Sequence, residues 1–232
     1  SLTPVETARR FRWRKCGWRS IAPKLCAIFE ANLQQLNALP PTLKEGHFRT
    51  SFLLASGDKD PFDNKAQGFS AIFENPQFAG GDTSYWIRQG IPLIGVGGIN
   101  LTQRNGVLPD LRSSKEHGQS NFNNPGLILI GLGFAADVTP ELRFSGSLNL
   151  LYFHDTSNLE VLRNQGNIDR DIGLDISGAL IYRPFQTQNV VIRASGAVLV
   201  PGDGFKELFA TTADPEGAEL AYSVLFNLVL TY

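Results

Sequence analysis

The chain has 232 residues, with 21 Lys and Arg against 22 Asp and Glu, a formal net charge of −1 and 42% hydrophobic content. This is enough apolar material for one folded domain, and the near balance of charge argues against a nucleic-acid partner. Mean hydropathy is −0.10 and no run of about 18 apolar residues occurs, which excludes a transmembrane helix but not strands facing lipid on one side and water on the other.

Sixteen phenylalanines, 23 glycines, 13 prolines and no methionine suit strands and turns better than helices, so the expected class is all-β. Residues 1–46 stand apart. They carry a basic stretch (Arg9, Arg10, Arg12, Arg14, Lys15, Arg19), both cysteines and two of the three tryptophans. No apolar segment of about 7 to 15 residues follows the basic stretch, so no signal peptide is visible. Cys16 and Cys26 fit neither a zinc nor a CxxC spacing, and leave open a disulfide or two separate thiols. Leu25, Ile28, Phe29, Leu33 and Leu36 recur at roughly helical spacing before Pro40 and Pro41, which predicts a helix over 24–39. The expectation for 1–46 is therefore a partly helical or disordered appendage, with the main region at 47–232.

From residue 48 the pattern becomes period two. A strand is expected over 48–57, then a long loop over 58–123 that holds a weak strand at 91–102. Further strands follow at 126–137, 142–153, 171–183, 190–200 and 219–232. In the last, Leu220, Tyr222, Val224, Phe226, Leu228, Leu230 and Tyr232 alternate with Ala221, Ser223, Leu225, Asn227, Val229 and Thr231. Soluble strands usually have about 5 to 6 residues, whereas about 9 to 11 tilted residues cross a bilayer. Leu142, Phe144, Gly146, Leu148, Leu150 and Tyr152 form another apolar face, and Ile172, Leu174, Ile176, Leu180 and Tyr182 a third.

The opposite faces carry Ser, Asn, Gly and isolated Arg or Asp rather than the Lys and Glu usual on a soluble sandwich. Lipid outside, water inside and aromatic girdles produce that arrangement. The pore-lining face is assigned Arg143, Asn149, Asp175, Arg183, Arg193 and Asn227. Arg143 and Arg183 lie near strand ends and read equally as interstrand or interfacial pairs. Connections at 138–141 and 184–189 are short, and those at 154–170 and 201–217 are long, which puts the short ones on the periplasmic side. Six strands, or seven with the weak one, fall short of the roughly eight that close the smallest barrel. A partial antiparallel transmembrane barrel of about 6–8 strands is thus expected, with a soluble β-sandwich as the alternative.

Three patterns suggest other chemistry. Asp58, Asp60, Asp63 and Asn64 bunch oxygen ligands in the manner of a Ca²⁺ loop, though a solvated acidic turn around Pro61 explains them as well. Gly131, Gly133 and Ala136 have the spacing of a dinucleotide fingerprint, but another alternating strand follows where a helix is needed. His154, Asp155 and Ser157 suggest an outer-membrane hydrolase, yet neighbours in sequence rarely converge as a triad. An enzyme is not expected.

The phrase Ala55-Ser-Gly-Asp-Lys-Asp-Pro-Phe-Asp63, followed by the runs Phe69 to Gly81 and Ser84 to Gln89, resembles the loop region of alginate-export-type outer-membrane porins. The resemblance covers 48–232. It implies a bacterial outer-membrane location, passive passage or export of a hydrophilic, anionic sugar or polysaccharide, an arginine-lined pore and no cofactor. The strand ending at Tyr232 resembles the signal read by the barrel-assembly machinery, and 58–123 reads as an extracellular or pore-constricting loop. A surface adhesion or assembly barrel with a blocked lumen is the alternative within the membrane class.

Overall fold

The computed structural model describes residues 10–15, 26–34, 46–63, 65, 67–69, 78–80, 83–86, 90–92, 98–100, 124–184, 189–210 and 219–231. Asn64, Tyr232, Cys16 and most of 58–123 lie outside them. Period-two segments become strands: β1 (Arg10–Lys15), β2 (Cys26–Gln34), β3 (Gly46–Ala55), β4 (Gly90–Pro92), β5 (Gly98–Asn100), β6 (Leu127–Asp137), β7 (Leu142–Tyr152), β8 (Asp171–Tyr182), β9 (Val190–Pro201) and β10 (Ala221–Leu230). Two one-and-a-half-to-two-turn helices, α1 (Ser157–Arg163) and α2 (Asp203–Phe209), sit in the two long connections.

Eight strands form one antiparallel sheet in the order β1-β2-β3-β6-β7-β8-β9-β10, an up-and-down meander interrupted only by the small β4-β5 hairpin. Among the described residues the sheet is open, with β1 and β10 as its edges. The weak strand expected at 91–102 is thus two three-residue strands outside the main sheet.

The helix expected over 24–39 is corrected to strand β2. Its residues pair with β3 over nine consecutive positions, from Cys26↔Ala55 to Gln34↔His47. Ala27, Phe29, Ala31 and Leu33 alternate with Glu30, Asn32 and Gln34, and this period-two signal is obscured by Leu25, Ile28 and Leu36. β1 and β2 thereby belong to the same sheet as the later strands.

The two faces of the sheet differ sharply. On one, Ile130, Leu132, Leu148, Ile176, Leu180, Tyr222, Val224 and Phe226 are exposed, Leu132 at 57% and Val224 at 79%. On the other, register rows join Arg49, Gly133, Ser147, Ser177, Ala197 and Ser223, and next to them Ser51, Gly131, Asn149, Asp175, Leu199 and Ala221. Towards the long connections this second face turns apolar. There Leu53, Leu127, Leu129, Leu151 and Leu199 join Phe153, Leu159, Leu162, Ile168, Phe205, Leu208 and Trp86 in the buried core.

Ile172, expected on the apolar outer face, belongs to this core and is fully buried. The pairing shifts between Leu151↔Gly173 and Tyr152↔Asp171, so Ile172 is the extra residue of a bulge that turns it inward. The two loop helices are tied together over this core. Arg163 Nη2 donates to the Ala210 carbonyl at 2.9 Å, and the Asp169 backbone N–H donates to Glu207 Oε2 at 2.7 Å. Asn164 ends α1 in the left-handed conformation, with φ 49°.

Candidate functional site: the polar face of the sheet

A described part of the long loop, residues 78–80 and 83–86, lies against the polar face. Left-handed backbone at Ala79 (φ 50°) and Gly80 (φ 72°) turns the chain onto it. The approach is so close that a Cβ on Gly80 would stand 2.1 Å from Ser147 Oγ. Asn149 Nδ2 donates to the Ala79 carbonyl at 2.9 Å, and Thr83 Oγ1 donates to Ser177 Oγ at 3.3 Å.

The strongest attachment is at Asp175, which is fully buried. Its Oδ2 accepts from Ser84 Oγ at 2.6 Å and from the Trp86 backbone N–H at 2.9 Å. The Trp86 ring is itself fully buried and meets Phe153 edge-on at 5.8 Å. Small residues make room on the sheet: a Cβ on Gly131 would lie 2.4 Å from Asn149 Oδ1, and one on Gly133 3.0 Å from Arg49 Nη2. Arg49 Nη2 reaches Ser147 Oγ at 3.4 Å.

Of the six residues expected to line a pore, the five that lie within strands fall on the polar side, at two levels. Asn149 and Asp175 are covered by the inserted segment. Arg143, Arg193 and Asn227 share one register row with Asp137 and Ile181, nearer the short connections, and Arg183 follows β8 directly. Arg143 Nε approaches Asp137 Oδ1 at 4.0 Å across β6 and β7, an interstrand pair. Arg183 ties down its turn by donating its backbone N–H to the Glu141 carbonyl at 2.8 Å.

The acidic stretch is organised around its own backbone. Asp58 Oδ1 accepts from the Asp60 N–H at 3.3 Å, Asp60 Oδ1 from the Phe62 N–H at 3.0 Å, and Asp63 Oδ1 from the Lys65 N–H at 2.7 Å. These are side-chain turns of the kind Asp favours. Among the described residues no group of three or more His, Cys, Asp or Glu side chains converges as a metal set.

His154 Nδ1 accepts the Gly57 N–H at 3.1 Å, which binds the end of β3 to that of β7. Asp155 Oδ1 accepts both the N–H and the hydroxyl of Ser157 at the start of α1. Thus Asp155 and His154 each hold a backbone amide, and Ser157 is bonded to the acid rather than to the imidazole. Gly131 and Gly133 lie within β6, which runs on as strand.

Thr83, Ser84 and Trp86 were not legible as sheet-contacting residues. The one available signal was the run of Gly, Ser and Asn at the centre of facing strands, which leaves space for something to enter.

The fold defines the class: a predominantly antiparallel all-β protein whose single large sheet has one apolar and one polar face. No family model, curated protein or solved structure matches the chain.

Proposed function

We propose that the chain forms the membrane-crossing sheet of a porin-like barrel in the bacterial outer membrane, and that it passes or exports a hydrophilic solute. The exposed apolar face carries this reading. Monomeric soluble proteins rarely expose contiguous apolar patches beyond a few hundred Å², and such a face in a sandwich packs on a second sheet. Here it is matched by strands of 10 to 12 residues in β3 and β6 to β10, the length that spans a bilayer when tilted.

Strand edges in hydrocarbon leave backbone groups unsatisfied at several kcal/mol each, so the reading requires β1 and β10 to be paired in the membrane. Eight alternating strands make these two edges antiparallel, the direction a seam between them needs. Arg143 and Arg193 on the polar side favour an anionic sugar or polysaccharide, in line with the resemblance to alginate-export porins.

Partition of the expressed protein between detergent and water, with heat-modifiable gel mobility, tests the membrane assignment. A heat-modifiable, detergent-dependent species giving single-channel currents is the expected result. A water-soluble monomer overturns it. A second reading, a surface or assembly barrel without conductance, is favoured by one observation: an apolar core and the inserted segment occupy the polar side near the long connections. That reading predicts insertion into bilayers without current.

A further inference from the structure

We infer that β10 pairs with β1 of a second copy of this chain, so that the barrel is a two-fold ring built from the eight strands of each copy. The inference rests on the membrane-barrel reading and names the partner that closes it. Among the described residues the sheet ends at β1 on one side and β10 on the other. Tyr222, Val224 and Phe226 of β10 are 74%, 79% and 70% exposed on the apolar face, and Leu225 and Val229 are 36% and 52% exposed on the polar one. A strand this open along its edge and on both faces is where a seam belongs, and its partner must be an antiparallel strand that continues both faces. β1 meets both conditions. An odd number of antiparallel pairings separates it from β10, so the two run in opposite directions. Phe11 and Trp13 fall in the register rows of Leu132 and Ile130 on the apolar face, and Arg10 and Arg12 in those of Gly133 and Gly131 on the polar face.

Bore decides whose β1 this is. A ring of about eight strands is just wide enough for its own side chains to fill it. Closing this sheet on itself would set β1 and β2 opposite β7 and β8. Backbone already lies on β7 and β8 near mid-strand: Asn149 Nδ2 reaches the Ala79 carbonyl at 2.9 Å, Thr83 Oγ1 reaches Ser177 Oγ at 3.3 Å, and a Cβ on Gly80 would stand 2.1 Å from Ser147 Oγ. The buried Trp86 ring adds to that layer. The facing strands bring no small residues to make room, since their positions in the same rows are Arg10, Arg12, Glu30 and Asn32. A second layer of backbone together with these large residues exceeds what eight strands enclose. Two copies remove the conflict. A two-fold axis along the barrel brings β10 of each copy beside β1 of the other with directions kept, so two identical seams satisfy every free edge. Rings of about 16 strands leave an aqueous channel, which the proposed passage of solute requires.

The test uses the full chain in detergent micelles, in a Cys16→Ser, Cys26→Ser background. One tagged copy carries Arg12→Cys and a differently tagged copy carries Leu225→Cys or Asn227→Cys, positions on the same face. A short bis-maleimide is expected to join the two tags, in a heat-modifiable particle whose protein mass is twice that of the 25.4 kDa chain. A chain carrying both Arg12→Cys and Asn227→Cys reports closure on itself. Cross-linking within that single chain, or a heat-modifiable particle of one chain's mass, overturns the inference and leaves the barrel reading standing. Joined tags in a protein that needs no detergent support the seam between copies and overturn the membrane reading. A water-soluble monomer overturns both.

Discussion

Gly173 is the residue on which the bulge in β8 depends. Its φ is +123°, and a Cβ there would lie 2.1 Å from the Val200 carbonyl oxygen. Gly173→Ala combines a backbone strain of order 1 to 3 kcal/mol with a backbone collision, so destabilisation beyond about 2 kcal/mol is expected in urea unfolding from micelles. A neutral result would mean that the bulge relaxes and Ile172 returns to the outer face. His154 gives a pH dependence at the same scale. Burial lowers its pKa from the ordinary 6.5, with Arg170 and Lys59 adding to this effect and Asp155 opposing it. A depressed pKa means that the unfolded state takes up the proton first. The loop junction is therefore fully stable above about pH 6.5 and weakens as pH falls below it. Protonation at Nδ1 also removes the acceptor for the Gly57 amide. The protection factor of the Gly57 amide, its exchange rate referred to the intrinsic rate at each pH, should fall on acidification, and His154→Gln should flatten that response.

Strands were legible where large apolar residues recur at every second position, as in β7 and β10, with Ser147 and Asn149 or Ser223 and Asn227 on the opposite face. β2 was read as a helix because Leu25, Ile28, Leu36 and the prolines beyond it imitate helical spacing; nine pairings with β3 decide the matter, and those are set by a partner strand that local sequence does not reveal. α1 and α2 were read only as long loops, since seven residues each are too few for a helical period to emerge. They are helical because Leu159, Leu162, Phe205 and Leu208 bury one side against the core. The two faces of a single strand give a test that separates membrane from water. Leu148, central in β7, is 39% exposed. In a bilayer, Leu148→Arg costs about 2 to 4 kcal/mol near the midplane, whereas at an exposed site in water the same change stays within about 0.5 kcal/mol. Unfolding from lipid vesicles measures it directly, and a change inside the smaller range argues for a soluble sheet.

At the scale of the whole molecule, sequence patterning conveyed that one face of the sheet is apolar and the other polar, but not how the polar face is divided along its length. That division comes from contacts remote in sequence, such as Ser84 with Asp175 and Asn149 with Ala79, which no local pattern encodes. Near the long connections the polar face is covered by the apolar core and by residues 78–80 and 83–86. Near the short connections it holds Arg143, Arg193 and Asn227 in one row. Arg143 faces Asp137 across β6 and β7, and Arg193 lies in the same row, two rows farther from the long connections than Ser177, so under the proposed pore reading both cations act on the field in that half. The register partners of Arg193 are Ile181 on β8 and Asn227 on β10. Charge reversal by Arg193→Glu should move the zero-current potential in a salt gradient towards cation preference, and the shift should shrink as ionic strength rises and the Debye length falls from about 10 Å at 0.1 M to about 3 Å at 1 M. Arg143→Glu, with its acidic neighbour in place, should alter conductance and bring like charges together across β6 and β7, weakening that strand pair as well. A channel whose selectivity ignores Arg193 but follows Arg143 would put the narrow part of the path at the β6-β7 side of the sheet, away from β9.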